Sequence, residues 1–367
     1  MDQIRTVRVR GSWALAAWAG LWLVGCGKTS DEPVRIDGQP TTASTANKGG
    51  ANPRIVIVTN GNSDWWSAVE KGMRDGGTKF GADVEMKRNE GSTEGQIRLL
   101  EEALSTSDVK GVAISVVEAD APGIADAIRK IKEAGKAIIT IDSDIAPSSA
   151  DARRAYIGTN NGRAGEIAGK AAAALRPQGG KVAAYVGTAA AANARERIDG
   201  FFAGAGAKFV KPPVEIFEDQ ADPNKAQSLA QISITKYPDL DVMLGIYSYN
   251  GPRIADEAAK VPAFRKKTTI VSFDLDEQAV EHLEKGNIDV SVCQNPYEIG
   301  FQAVKLLKAI VADDKATVDA MLPAGATTFD TGVRVIVPSD ASPVKGDNVI
   351  TIKAMKEWLA SKGLKSS

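Results

Sequence analysis

Polar side chains recur just beyond short apolar runs of this sequence. "IVIVT" is followed by Asn60, Asn62, Ser63, Asp64, Trp65 and Trp66, and "AIITI" by Asp142, Ser143 and Asp144. "YIG" leads to Thr159, Asn160 and Asn161, and "KVAAYVG" to Asn193, Arg195 and Arg197. "DVMLGIYSY" leads to Asn250, "TIVSF" to Asp274, and "DVSVC" to Gln294. Carboxylate, amide and guanidinium groups form planar, often bidentate hydrogen bonds. Collected in one place, they suit a ligand with many hydroxyls. The paired tryptophans add a flat apolar platform: an indole can lie on the C–H face of a pyranose while carboxylates and amides bind its rim.

Each of these residues has a plainer use. Asp, Asn and Ser after strands often make turns and helix caps, and Asp64, Asn161 and Asp276 sit where helices should open. Trp66 can face a core with Val69 and Met73. Adjacent helix positions point about 100° apart, so the two rings are not expected to share one core. Arg195 and Arg197 in "NARERIDGF" can be surface residues, although cations sit poorly near a helix N-terminus.

The chemistry that is missing narrows the field. The single histidine, His282, is flanked by charge in "DEQAVEHLEKGN" and reads as a solvated helix residue. A Ser-His-Asp triad would have to use it, away from every strand end. Zinc clusters of His and Cys are excluded. No Gly-x-Gly-x-x-Gly follows the first strand and no phosphate loop is present; "GTNNGRAG" (158–165) lacks dinucleotide spacing. No catalytic residue, metal or cofactor is expected, and binding rather than turnover is the reading. Cys293, in "DVSVC", reads as a small buried apolar residue.

The elements that must position these groups alternate. Apolar runs at "RIVIVT", "ADVEMK", "GVAISV", "AIITI" and "RAYIG" are separated by helical patterns over about 64–80, 93–106 and 121–134. The alternation restarts with a helix over about 162–175. "KVAAYV", "VEIF", "DVMLGI", "TIVSF" and "DVSVC" follow, with helices near 195–206, 224–236, 253–260, 276–285 and 296–311. Such alternation predicts parallel sheets with helices on both faces. The restart predicts two similar doubly wound, Rossmann-like α/β lobes. In open α/β sheets ligands bind beyond the carboxyl ends of the strands, where the polar residues stand.

Before this body lies a different composition. "MDQIRTVRVR" carries three arginines, "GSWALAAWAGLWLVG" is apolar, and "LVGC" ends at Cys26. This is the tripartite plan of a secretory leader. The junction resembles a bacterial lipobox, which implies that Cys26 is lipidated and anchors the chain to a membrane of the cell envelope. The stretch 27–52 is rich in Ser, Thr, Pro, Gly and Asn and reads as a flexible tether. A net charge of −1 over 367 residues argues against nucleic acid as partner.

Six ordered segments resemble the periplasmic solute-binding proteins of sugar ABC transporters, in particular the ribose-binding group of the type I fold. They are "IVIVTNGNSDWW", "TIDS", "ARERIDGF", "YSYNGP", "SFDLD" and "QNPYEIG". The resemblance implies a monosaccharide or polyol site made by Ser63, Trp65, Trp66, Asp142, Thr159, Arg197, Asn250, Phe273, Asp274 and Gln294. It departs from the ribose pattern at Ser63, Ser143 and Pro223, which puts ribose itself in doubt. It further implies a monomer whose lobes close on the ligand, read by an ABC permease or by a membrane sensor. The expected division is a leader (1–25), a tether (26–53), one lobe of 54–159 plus 295–326, and a second of 160–294 plus 327–367. A lac-repressor-type effector domain shares the fold but needs a DNA-binding segment where the leader and tether stand.

Overall fold

A computed structural model describes residues 52–211 and 213–367. Cys26, the leader and all but the end of the tether lie outside the described residues. The body from Ala51 onward is one compact unit built on two sheets. In the first lobe the strands are β1 (Arg54–Val58), β2 (Asp83–Lys87), β3 (Val109–Ile114), β4 (Ala137–Ile141) and β5 (Tyr156–Gly158). The second lobe contributes β6 (Val182–Val186), β7 (Glu215–Glu218), β8 (Val242–Gly245), β9 (Thr269–Phe273) and β10 (Val290–Cys293). Three later strands follow: β11 (Thr328–Asp330), β12 (Arg334–Val337) and β13 (Val349–Thr351). The sheet orders are β11-β5-β4-β3-β1-β2 and β13-β12-β10-β9-β8-β6-β7. Among the described residues every strand pairing is parallel except β10 with β12.

The central strands are buried on both faces, which is why they read as unbroken apolar runs. All five residues of β4, β6 and β9 are buried. Charged residues of β2 blunt one sheet edge: Glu85 accepts from Arg54 at 2.6 Å, and Lys87 reaches Glu102 at 2.7 Å.

The chain passes between lobes three times, at Thr159–Asn160, at Gln294–Asn295 and at Thr331–Val333. The last crossing corrects the expected boundary at 326/327, because β11 pairs with β5 in the first sheet. The crossings are tied to one another. Thr331 N donates to Gly158 O at 2.8 Å, and Gln294 Nε2 donates to Thr159 Oγ1 at 3.0 Å.

Two helix pairs pack closely through glycine. A Cβ on Gly165 would stand 2.2 Å from the carbonyl oxygen of Arg197, and one on Gly72 would stand 1.9 Å from that of Tyr297. Gly165 of "GTNNGRAG" and Gly72 therefore serve helix approach. They bring the helix Asn161–Leu175 against Ala192–Ala205, and the helix Trp65–Phe80 against Pro296–Val311.

Candidate functional site

Strand ends of the two sheets meet around Arg197. Its side chain is 1% exposed and lies on the buried ring of Phe273, with Cζ 4.7 Å from the centroid. Nε donates to Asn161 Oδ1 at 3.0 Å and Nη1 to Ile246 O at 2.8 Å. Nη2 is buried without a partner, so the N–H groups of that nitrogen are left for something else. Arg197 is thus no surface residue, and Asn161 is not a cap. The cap of that helix is Asn160, whose Oδ1 accepts from Arg163 N at 3.0 Å.

Asp142 and Asp274 flank this cation. Asp142 follows β4, is 6% exposed, and accepts from Ser115 Oγ at 2.8 Å and Asn60 Nδ2 at 3.4 Å. Burial pushes its carboxyl up, opposed by the Ser115 hydroxyl and the Arg197 charge. Asp274 follows β9, is 3% exposed, and accepts from Gln294 N at 2.8 Å. Burial raises it to about 7, opposed by the Arg197 charge and the Gln294 N–H. Two buried carboxylates thus share one guanidinium, an arrangement short of hydrogen-bond donors.

Both tryptophans are buried, Trp65 at 8% and Trp66 at 2%. They meet edge to face, with centroids 4.9 Å apart. The expectation that the two rings would not share one core is corrected: both pack into the first-lobe core with Val69, Met73 and Ile299. They differ in their polar atoms. The Trp65 indole N–H is buried with no acceptor in hydrogen-bonding geometry, yet it lies close enough to Asp274 to favour that carboxylate's charge. Trp65 is therefore the ring that borders the second lobe, and Trp66 is packing.

Other expected residues are placed as follows. Thr159 is 1% exposed and bonded to Gln294. Buried Tyr156 staples this turn, donating to Asp142 O at 2.8 Å and Thr159 O at 3.1 Å. Asn250 is fully buried, but both ends of its amide are engaged: Tyr247 N donates to Oδ1 at 3.0 Å and Nδ2 donates to Asp219 Oδ2 at 2.7 Å. Ser63 is exposed and outside the buried ring. Asp64 makes no side-chain cap, whereas Asp276 accepts from Ala279 N at 2.7 Å. Arg195 stays exposed and reaches Asp120 of the first lobe at 3.6 Å. His282 is not freely solvated: Nε2 lies 3.1 Å from Asp256 and Nδ1 3.2 Å from Asn287. Cys293 is buried, as read.

Ser115, Asp219, Tyr247 and Tyr249 belong to the same region and escaped the sequence reading. Ser115 and Asp219 stand directly after β3 and β7, so the strand-end rule applied to every strand finds them. A surface hollow of about 250 Å³ lined by Asp120, Pro122, Asp126, Arg129, Ser148 and Ser149 lies apart from this buried ring. We assign the site to the ring, where orphaned donors are enclosed, and not to the open hollow.

Comparison with known proteins agrees with this fold. The model of the periplasmic binding protein domain matches residues 54–315. A D-ribose/D-allose-binding protein from Pseudomonas aeruginosa is 24% identical over 204 residues, 52% of this chain and 61% of that protein. The match thus spans less than two thirds of that relative. The crystal structure of GanP, a glucose-galactose binding protein from Geobacillus stearothermophilus, superposes with a TM-score of 0.70 at 28% identity, over 79% of this chain and 99% of that one. An ABC transporter solute-binding protein from Burkholderia graminis, in complex with D-arabinose, gives 0.71 at 24% identity, over 82% and 100%. The two doubly wound lobes are the type I periplasmic binding fold, and the chain belongs to the periplasmic binding protein family.

Proposed function

We propose that this chain is an extracytoplasmic solute-binding protein that captures a monosaccharide or related polyol between its lobes and delivers it to an ABC permease. The observation that carries the reading is the orphaned Nη2 of buried Arg197, between two buried carboxylates and beside an orphaned indole N–H. Sugar hydroxyls both donate and accept. They can satisfy Arg197 and Trp65 as acceptors and Asp142 and Asp274 as donors, at no cost in net charge. Binding is reversible and non-catalytic, and Cys26 carries a lipid that holds the protein at the envelope.

A thermal-shift panel of pentoses, hexoses and polyols tests the reading. A ligand at a hundred times its dissociation constant adds about 2.7 kcal/mol of stability. No shift with any member, or a chemically altered sugar recovered at more than one turnover, sinks it. For the anchor, Cys26→Ser should appear unprocessed or released; processed protein in the membrane fraction would refute lipidation.

A further inference from the structure

Asp219 is a fully buried carboxylate that the proposed capture step does not use. It follows β7 and is tethered by its own N–H to Val186 O at 2.9 Å. Its oxygens accept three hydrogen bonds: Tyr249 OH and Ala221 N reach Oδ1 at 2.7 and 2.9 Å, and Asn250 Nδ2 reaches Oδ2 at 2.7 Å. Gln220 and Ala221, next in the chain, both take left-handed backbone at φ 60°, a strained choice for non-glycine residues. A buried charge held by a strained turn is costly.

We propose that Asp219 is the positioning residue for the second-lobe wall of the cleft, fixing the Asn250 amide and, through it, the ring of Tyr247 beside Arg197. The chain of contacts is continuous. With Nδ2 drawn to Asp219, Asn250 must turn Oδ1 to the backbone N–H of Tyr247; the opposite amide orientation would set oxygen against carboxylate. This fixes the turn that carries Tyr247, whose hydroxyl donates to Asn193 Oδ1 at 2.9 Å and whose ring centroid lies 6.0 Å from Arg197 Cζ. Tyr249 stacks on Tyr247 with centroids 6.2 Å apart. The wall is thus aromatic, supplied from a different loop than the one that carries Pro223. The inference rests on the sugar-binding reading only in what this wall faces.

Among the described residues the charged and titratable groups around Asp219 are few, and Asp222, three residues on, donates its N–H to Asp219 O at 3.2 Å. Tyr249 and Tyr247 face it from the loop after β8, and Lys225 acts on it from the helix Pro223–Lys236. Glu218 is engaged elsewhere, accepting from Ala189 N at 3.1 Å. Burial raises Asp219 to about 6, opposed by its bonds from Tyr249 and Asn250, so its charge changes in an accessible range.

The test pairs the side-chain amide signal of Asn250, by NMR with labelled asparagine, with affinities for D-ribose, D-arabinose, D-glucose and D-galactose. In the wild type the Asn250 amide should shift with a midpoint near pH 6, and Asp219→Asn should abolish that shift. For any of the four sugars that binds, Asp219→Asn should weaken affinity at least tenfold at pH 7.5, and the wild-type advantage should shrink below pH 6. Tyr249→Phe removes one donor from the carboxylate and should move the midpoint up, which keeps the test if Asp219→Asn does not fold. Equal affinity of wild type and Asp219→Asn overturns the proposal, as does an amide midpoint that survives the substitution. If no sugar binds the wild type, the sugar reading fails, and the amide titration still decides whether Asp219 positions Asn250.

Discussion

Asp142 and Asp274 occupy the same place in the two lobes. Each follows the fourth strand of its own lobe, and each takes left-handed backbone, with φ 56° and 58°. Non-glycine residues visit this region infrequently, aspartate more readily than most. The turn stops each strand abruptly and swings the carboxylate across the sheet end toward Arg197. Two copies of one local device thus aim two carboxylates at one guanidinium, from lobes joined by three crossings.

This pairing makes a pH prediction. Asp274 is raised to about 7 by burial, above the ordinary value of about 3.9 for an unfolded chain. Between those values the unliganded folded state holds a proton that the unfolded state has lost, so stability falls as pH rises through the window. Asp274→Asn removes that contribution. Wild type should therefore lose melting temperature relative to Asp274→Asn from about pH 4 to pH 7, and the difference should level off above. Melting curves at pH 4.5, 6 and 8 check this; a difference that grows in favour of the wild type would contradict it.

Arg197 should matter to affinity more than any surface cation. Arg197→Met keeps the packing on Phe273 but leaves Asp142 and Asp274 without their shared cation. Loss of a buried charged partner costs roughly 2–5 kcal/mol of binding. Arg195→Met, at the exposed pair with Asp120, should cost less than about 1 kcal/mol. Calorimetry on the best sugar of the thermal-shift panel separates them, and equal effects would remove Arg197 from the site.

The two tryptophans should separate by assay. Trp66→Ala empties a core position and should cost about 3–5 kcal/mol of stability. Trp65→Phe keeps an aromatic ring but deletes the five-membered ring with its orphaned N–H, so affinity should drop by about 1 kcal/mol, with a loss of stability smaller than that of Trp66→Ala. Urea midpoints and affinities measured together check both; unchanged affinity in Trp65→Phe would confine both rings to the core.

Ten strands and nine helices were legible, the central strands because they are buried on both faces and so read as continuous apolar runs; the helix Ile352–Ser361 was not. What escaped has physical causes. β11 and β13 are three residues long and neither is buried, so no apolar run marks them, and β12 makes the antiparallel pairing, with β10. The candidate lining was legible where a strand end met a helix, as at Asp142 and Asp274. It failed where two readings of one residue type compete. Asn161 reads as a cap and binds Arg197, while Asn160 caps; Asn250 reads as a ligand amide and is held by Asp219. Sequence shows that such groups gather at the strand ends, but not which of them satisfy one another.

Gly165 offers the last test, because it links packing to the site. It lies on the helix Asn161–Leu175, one turn after Asn161, which accepts from Arg197 Nε. A methyl at Gly165 would meet the carbonyl oxygen of Arg197 at 2.2 Å and its Cα at 2.9 Å. Neither atom belongs to a flexible side chain, so Gly165→Ala must push the two helices apart. The gain in helix propensity, about 1 kcal/mol, is set against overpacking that typically costs 1–3 kcal/mol. The displacement carries Arg197 away from Asn161 and Phe273, so affinity should fall together with stability. Gly162→Ala, where a methyl meets only Asn160 Oδ1 at 3.7 Å, should be neutral or stabilising and leave affinity intact. Urea midpoints and sugar affinities for the two variants decide the matter: a Gly165→Ala protein as stable and as tight-binding as Gly162→Ala would show that close helix approach does not set the position of Arg197.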